Sequence, residues 1–216
     1  MRYFITATDT GAGKTYVTCL LLRALRAAGR PAVAFKPVCC GSRQDVVDLL
    51  AAGSPGPSAN AVNPVHYKMP LAPLAAGMLE NRPFPLEDVR RAWRELSASY
   101  GDILVEGAGG WEVPLTDTLT LAGLAAELAL PVIVVVNNRL GALNHTILTV
   151  RSIQQRGLHC AGLILNYVAD CRDTASISNA VILRTVLPDV PVIAEIMHGE
   201  TELRLEDLAQ IGRAHV

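Results

Sequence analysis

The chain has 216 residues, half of them hydrophobic, with 19 Lys and Arg against 20 Asp and Glu and a net charge of −1. That is enough apolar material for one buried core spanning residues 1–216 as a single domain. It is too little positive charge for a nucleic-acid or anionic-membrane partner.

Five cysteines, Cys19, Cys39, Cys40, Cys160 and Cys171, show neither metal-ligand spacing nor a disulfide framework. They read as reduced thiols of a cytoplasmic protein, the adjacent Cys39 and Cys40 included. Met1-Arg2 runs straight into an apolar strand, so no signal peptide is expected. The longest apolar stretch, "LTLAGLAAELALPVIVVV" (119–136), is broken by Glu127 and Pro131. It reads as a buried helix followed by a strand rather than as a membrane span.

In chain order, a first strand is expected over Tyr3–Thr6, then a helix over Lys14–Ala28 stopped at Gly29. A strand over Ala32–Phe35 follows, and a short helix from Asp45 ("DVVDLLAA"). Residues 53–64, "GSPGPSANAVNP", read as a surface loop. A helix over 86–98 leads into the strand "DILVE" (102–106). The remainder alternates: helix 119–129, strand 131–136, helix 144–156, strand 161–166, helix 175–186, strand 191–195. Short apolar strands alternating with helices specify an α/β class, doubly wound, with a mainly parallel sheet and helices on both faces.

The turn between the first strand and helix is "TDTGAGKT" (8–15). Thr8 stands where a phosphate-binding loop usually carries its first glycine. Yet strand, glycine turn and helix start still aim backbone N–H groups and the positive helix end at an anion. Lys14 is placed for the β and γ phosphates, and the Thr15 hydroxyl for Mg²⁺. The fold is therefore expected to be P-loop NTPase-like. Partitioning-type ATPase switches carry a signature lysine where this chain has Asp9. GTPases read guanine with Asn-Lys-x-Asp, whereas "VVNNRLG" has Asn138 and Leu140 at the lysine and aspartate places.

A Mg–nucleotide site also needs hard oxygen ligands, which doubly wound sheets present at the carboxyl ends of strands. Glu106 ends "DILVE" and is followed by "GAGG", whose small residues Gly107 and Gly109 let backbone approach a ligand. Asp45, at a helix start, reads equally as a first-turn acid. Lys36, in "AFKPV", reads equally as a snorkelling surface lysine. The residues alone reach a Mg–ATP site suited to phosphoryl transfer to an anionic acceptor, without naming the acceptor.

"TDTGAGKT", "FKPV" (35–38), "VEGAGGWEVPLTD" (105–117) and "RLGALNHTILTVRSIQQRGL" (139–158), in this order, resemble dethiobiotin synthetase. The resemblance runs from Tyr3 through "LILN" to "VPVIAEI". It implies an ATP- and Mg²⁺-dependent ligase that joins CO₂ to 7,8-diaminopelargonic acid and closes a cyclic urea, through a carbamate and a carbamic-phosphoric anhydride. It further implies Thr15, Asp45 and Glu106 as Mg²⁺ ligands, with Lys14, Lys36 and Thr10 as the catalytic groups around phosphate and carbamate. ATP contacts would come from Asp9, Thr10, Gly11, Ala12, Gly13, Lys14, Thr15, Tyr16, Glu106, Gly107, Gly109 and, on the adenine, Asn166.

The diamine would meet Lys36, Cys40 and Gly109. Its carboxylate would reach the helix start Gly141-Ala142-Leu143-Asn144 of a neighbouring subunit, which implies a homodimer. His145 would pack its helix rather than catalyse. Four features depart from the family pattern: Ala7 for a glycine, Cys40 for a serine, "MPLAPLAA" (69–76) without Ser-Pro-His, and a short loop before Asp45. The competing readings are a cobyrinate amidase-like enzyme, whose added glutaminase domain 216 residues would not accommodate, and an ATP-dependent switch, which Asp9 argues against.

Overall fold

The computed structural model describes residues 1–170 and 173–203. Six parallel strands form the central sheet: β1 (Arg2–Ala7), β2 (Ala32–Phe35), β5 (Asp102–Glu106), β6 (Val132–Asn137), β7 (Cys160–Asn166) and β8 (Val192–Ile196). Their order is β2-β5-β1-β6-β7-β8. Strand β1 is the pivot, parallel to β5 on one side and β6 on the other.

Alternation along β1 sends side chains to two separate cores. Phe4 joins Val105, Val134 and Leu165 on one face; Tyr3, Ile5 and Ala7 join Leu104 and Val135 on the other. Helices α1 (Lys14–Ala27) and α2 (Gln44–Ala52) cover the second face through Val17, Leu20, Val46 and Leu49. The first face is covered by α5 (Leu86–Ser99), α6 (Leu121–Leu128), α7 (Ala142–Gln155) and α8 (Thr174–Val186), through Leu96, Leu124, Val150 and Leu183. The sheet is thus buried on both sides, as continuous aliphatic strands require. No helix among the described residues is long and apolar enough to cross a membrane.

The segment between β2 and α5 differs from the sequence expectation. Two three-residue strands, β3 (Val38–Cys40) and β4 (Val65–Tyr67), pair in parallel as a separate small sheet. The stretch 53–64, expected as surface loop, contains the short helix α3 (Ala59–Val62), capped by the Ser58 hydroxyl, which accepts from Ala61 N–H. It ends on buried Val62 and Asn63. "MPLAPLAA" leads into α4 (Pro73–Leu79), with proline at its first turn. Helix α7 starts at Ala142, two residues before its expected start. Its His145 is exposed rather than packed. Cys19, Cys39, Cys40 and Cys160 are free thiols. Cys39 and Cys40 sit on opposite faces of β3, in different cores, and burial raises both thiol pKa values, that of Cys40 to about 11. Cys171 lies outside the described residues.

The chain start is tied to the sheet by charge. Asp102 binds the Met1 ammonium and, through both oxygens, the Arg30 guanidinium at 2.7 and 2.8 Å. Burial alone would raise the Asp102 pKa, but the hydrogen bonds from Arg30 and the terminal ammonium outweigh it and hold it below the ordinary aspartate value. A depressed folded pKa contributes stability that is fully present above the unfolded value of about 3.9 and is lost as pH falls through the folded one. Asp102→Asn should therefore lower the melting temperature by a few degrees at pH 7, with the gap to wild type closing below about pH 4. Thermal melts across pH check this; a gap independent of pH would contradict it.

Candidate active site

Helix α1 is preceded by Gly13 as its N-cap, whose φ of 83° places it in the left-handed region, and neither a capping side chain nor a first-turn acid occupies this end. Its first N–H groups are therefore free to meet an anion. Gly11, at φ 75°, makes the preceding turn. A Cβ on Gly13 would also lie 2.2 Å from Asn166 Nδ2, so only glycine fits here. Asn166, at the end of β7, donates from Nδ2 to Ala12 O at 2.9 Å and so ties the loop to the far strand. Asp9 is turned back on its own loop, its carboxylate accepting from Thr10 N at 2.7 Å. Thr10, Gly11, Gly13, Lys14, Thr15 and Tyr16 line the cavity beyond the loop, and Asp9 and Ala12 lie outside that lining.

Beyond the loop lies a cavity of about 760 Å³. Lys14 lines it and is 8% exposed; burial lowers its pKa, the nearby Glu106 charge opposes this, and Lys36 adds to the lowering. Glu106, wholly buried at the end of β5, accepts from the Thr15 hydroxyl at 2.7 Å and from Lys36 Nζ at 2.6 Å, both on Oε1. Lys36 Nζ also reaches Asp45 Oδ2 at 2.7 Å. Lys36 is no surface lysine. Burial alone would lower its pKa, but the Glu106 and Asp45 carboxylates outweigh that and raise it above the ordinary lysine value. Asp45, which the sequence left open as a helix-start acid, does sit in the first turn of α2, yet its carboxylate is spent on Lys36.

The fit to a divalent cation can be tested on these atoms. Glu106 Oε2 is buried with no hydrogen-bond partner, and every donor atom is a hard oxygen. Two cis ligands of an octahedral Mg²⁺ lie about 2.9 Å apart, close to the 2.7 Å between Thr15 Oγ1 and Glu106 Oε1. Among the described residues no three His, Cys, Asp or Glu side chains form a metal cage. Mg²⁺ needs none when phosphate oxygens and water complete its shell. The residues fit the ion.

The far wall of the cavity includes Pro70, Leu71, Ala72 and Pro73 of the "MPLAPLAA" run, expected near the nucleotide or diamine, beside the expected Cys40, Gly107 and Gly109. It adds Cys39, Ala108 and Val113, which the sequence did not single out for the site. Gly109 adopts φ 70°, and a Cβ there would press on Val113 Cγ2 at 3.0 Å, next to Thr10 Oγ1. The "GAGGW" wall is fixed from behind: Trp111 packs edge-on against Phe4, and its Nε1 donates to Ser152 Oγ at 3.1 Å.

A second cavity of about 260 Å³ adjoins the first, lined by Gly13, Tyr16, Asn166, Tyr167, Val168, Met197, His198 and Gly199. The Tyr16 hydroxyl donates to Glu200 O across it. Gly141, Ala142, Leu143 and Asn144 line neither cavity. Gly141 is the left-handed cap of α7, again with no capping side chain.

Asn63 is the other residue the sequence hid inside its supposed loop. Its Nδ2 donates to Lys36 O at 2.8 Å and to Val65 O at 2.9 Å, while Lys36 N–H donates to Val62 O. Asn63 thereby fixes the backbone from which Lys36 projects. Asn63→Ala should remove two buried hydrogen bonds, cost about 2 kcal/mol of stability and slow turnover by about tenfold or more through misplacement of Lys36. Denaturant melts and steady-state kinetics check both; an unchanged kcat would refute the positioning role.

The family model described as an AAA domain (AAA_26) matches residues 1–200. The ATP-dependent dethiobiotin synthetase BioD of Akkermansia muciniphila is 41% identical, covering 97% of this chain and 99% of its own. That of Aromatoleum aromaticum is 38% identical over 91% of this chain and 90% of its own. Among solved structures, the septum site-determining protein MinD of Pyrococcus horikoshii shares a TM-score of 0.55 at 20% identity, covering 100% of this chain and 89% of its own. A ParA family ATPase of Chlorobium tepidum reaches 0.55 at 12% identity, covering 100% and 99%. At these identities the two structures speak to the fold alone: a P-loop NTPase-like, mainly parallel sheet with helices on both faces. With relatives matching 91–97% of the chain, and with Lys36 lining one cavity with the phosphate loop while buried Glu106 bonds Thr15 and Lys36 behind it, the chain belongs to the ATP-dependent dethiobiotin synthetase family.

Proposed function

We propose that this protein converts 7,8-diaminopelargonic acid, CO₂ and ATP to dethiobiotin, ADP and phosphate, as a cyclo-ligase of biotin synthesis. The observation that carries the reading is the Thr15–Glu106–Lys36–Asp45 cluster beside an uncapped helix start, facing a largely apolar wall. Such a cavity suits a triphosphate at one end and a substrate of amines on an aliphatic chain at the other.

The free N–H groups of the loop from Gly11 to Tyr16, with Lys14, would hold the phosphates. Thr15, Asp45 and Glu106 would hold Mg²⁺, which when bound offsets phosphate charge. A substrate amine adds to CO₂ and loses a proton, giving a carbamate. The carbamate oxygen then attacks the γ-phosphorus as ADP leaves. The second amine attacks the carbonyl carbon of the resulting anhydride, and the C–O bond to phosphate breaks. Two anions must approach in the phosphoryl step, so Lys14, Lys36 and Thr10 act by lowering their repulsion and orienting them. Gly109 leaves room for the reacting groups against Thr10, and Cys40 lines the diamine end.

Asn166 borders the second cavity, which suits the adenine; its Nδ2 is shared with Ala12 O, leaving Oδ1 to accept from the exocyclic amine. The position of Gly141–Asn144 outside its own chain's cavity supports a homodimer in which this helix start receives the substrate carboxylate of the neighbour. The whole chain is read as one catalytic domain, working in the cytoplasm.

Purified protein given Mg–ATP, bicarbonate and the diamine should release phosphate and dethiobiotin together; ATP turnover indifferent to the diamine would refute the reading. Glu106→Gln should cut turnover by about a thousandfold or more while the circular dichroism spectrum is kept. Unchanged kinetics would remove Glu106 from the site.

A further inference from the structure

Lys36 makes two contacts that bear on how metal enters the site. Its Nζ lies 2.6 Å from Glu106 Oε1 and 2.7 Å from Asp45 Oδ2. Among the described residues it is the one cation within ion-pair distance of either carboxylate. These are two of the three side chains that the proposed function gives to Mg²⁺, on which this inference rests. A metal bound to the same two oxygens would lie about 2.1 Å from each. An ammonium keeping its own contacts would then share both oxygens with the ion and sit on the order of 3 Å from it, where two cations repel strongly.

We propose that Lys36 and the divalent metal occupy the Glu106–Asp45 pair in alternation. In the metal-free protein the lysine is the counter-ion; metal entry turns its ammonium out into the cavity, toward the phosphate and carbamate.

Three features of the chain permit this exchange. Glu106 has no exposed surface, so it needs a cation at all times, and Lys36 supplies one until metal arrives. The Lys36 backbone is pinned by Asn63 and Val62, so only its flexible side chain has to move. The same cavity that Lys36 lines also holds the phosphate loop, so a displaced ammonium has triphosphate oxygens to meet. Metal alone must dislodge a lysine that gains no new partner. Metal arriving with the triphosphate provides one. The site is thus built to take its metal together with the nucleotide.

The test is Mn²⁺ binding to the full chain without nucleotide, read by electron paramagnetic resonance of the free ion. It compares wild type, Lys36→Met, Glu106→Gln and the double variant, with thermal melts in chelator alongside. Lys36→Met should bind Mn²⁺ about tenfold or more tightly than wild type, and Glu106→Gln should abolish that gain. In chelator Lys36→Met should melt below wild type, and Mn²⁺ should close the gap.

Equal or weaker binding by Lys36→Met, with Glu106→Gln still reducing it, overturns the exchange and leaves the metal site standing. No effect of Glu106→Gln in either background overturns the metal assignment itself. If Lys36→Met does not fold without metal, ¹⁵N-lysine NMR of wild type decides. The Lys36 ammonium, slow to exchange its protons in chelator, should lose that protection when Mg²⁺ saturates the protein. An unchanged signal at saturation overturns the proposal.

Discussion

Glu106 is a carboxylate with no exposed surface at the end of a strand of aliphatic residues, and an uncompensated buried charge costs several kcal/mol. Much of the surrounding architecture answers that cost. Thr15 reaches it from the first turn of α1, and Lys36 from the end of β2, carrying Asp45 of α2 with it. Four separate segments are thereby drawn to one point. The same arrangement places a hydroxyl, two carboxylates and two lysines around the mouth of the phosphate loop.

The sheet order explains why that point lies where it does. From β1 the chain crosses through α1 on one face to β2, and from β5 through α6 on the other face to β6. A crevice therefore opens beyond the carboxyl ends of β1 and β5. The loop after β1, the lysine after β2 and the acid ending β5 all discharge into it. The far side is closed by the glycine wall after β5 and by Pro70–Pro73, in the segment that follows the small β3–β4 sheet. Strand β7, two strands over from β1, contributes Asn166, where the second cavity adjoins the first.

What could be read from sequence follows from how strongly each feature is encoded locally. The six main strands are continuous apolar runs, and the glycine turn ahead of Lys14-Thr15 sits between strand and helix, so both were legible. So was Glu106, because a charged residue after three aliphatics is conspicuous. Lys36 and Asp45 were ambiguous, since nothing in "AFKPV" or at a helix start reveals that two side chains nine residues apart will meet. The β3–β4 pair was invisible: three residues are too few to show alternation, and the pairing spans a segment of loop-like composition. Asn63 was hidden for the same reason, in an Asn-Pro that reads as a turn, because its role lies in two carbonyls it can only meet after folding. His145, expected to pack, is exposed because its neighbours Ala142, Thr146 and Val150 take the buried face of α7.

In the proposed homodimer the site would have a second half that one chain does not complete. Helix α7 is locked to the glycine wall through Trp111, Ser152 and the Glu112–Arg156 ion pair, yet its start, residues 141–144, lines neither of that chain's two cavities. A wall belonging to one site and a helix start serving another would then be one rigid piece. The most direct test of the central claim is a crystal structure with Mg²⁺ and a non-hydrolysable ATP analogue. The account requires the triphosphate in the turn before α1, with the terminal phosphorus between Lys14 and Lys36 and the base against Asn166. A triphosphate bound elsewhere, with the turn empty and Lys14 facing solvent, would contradict it.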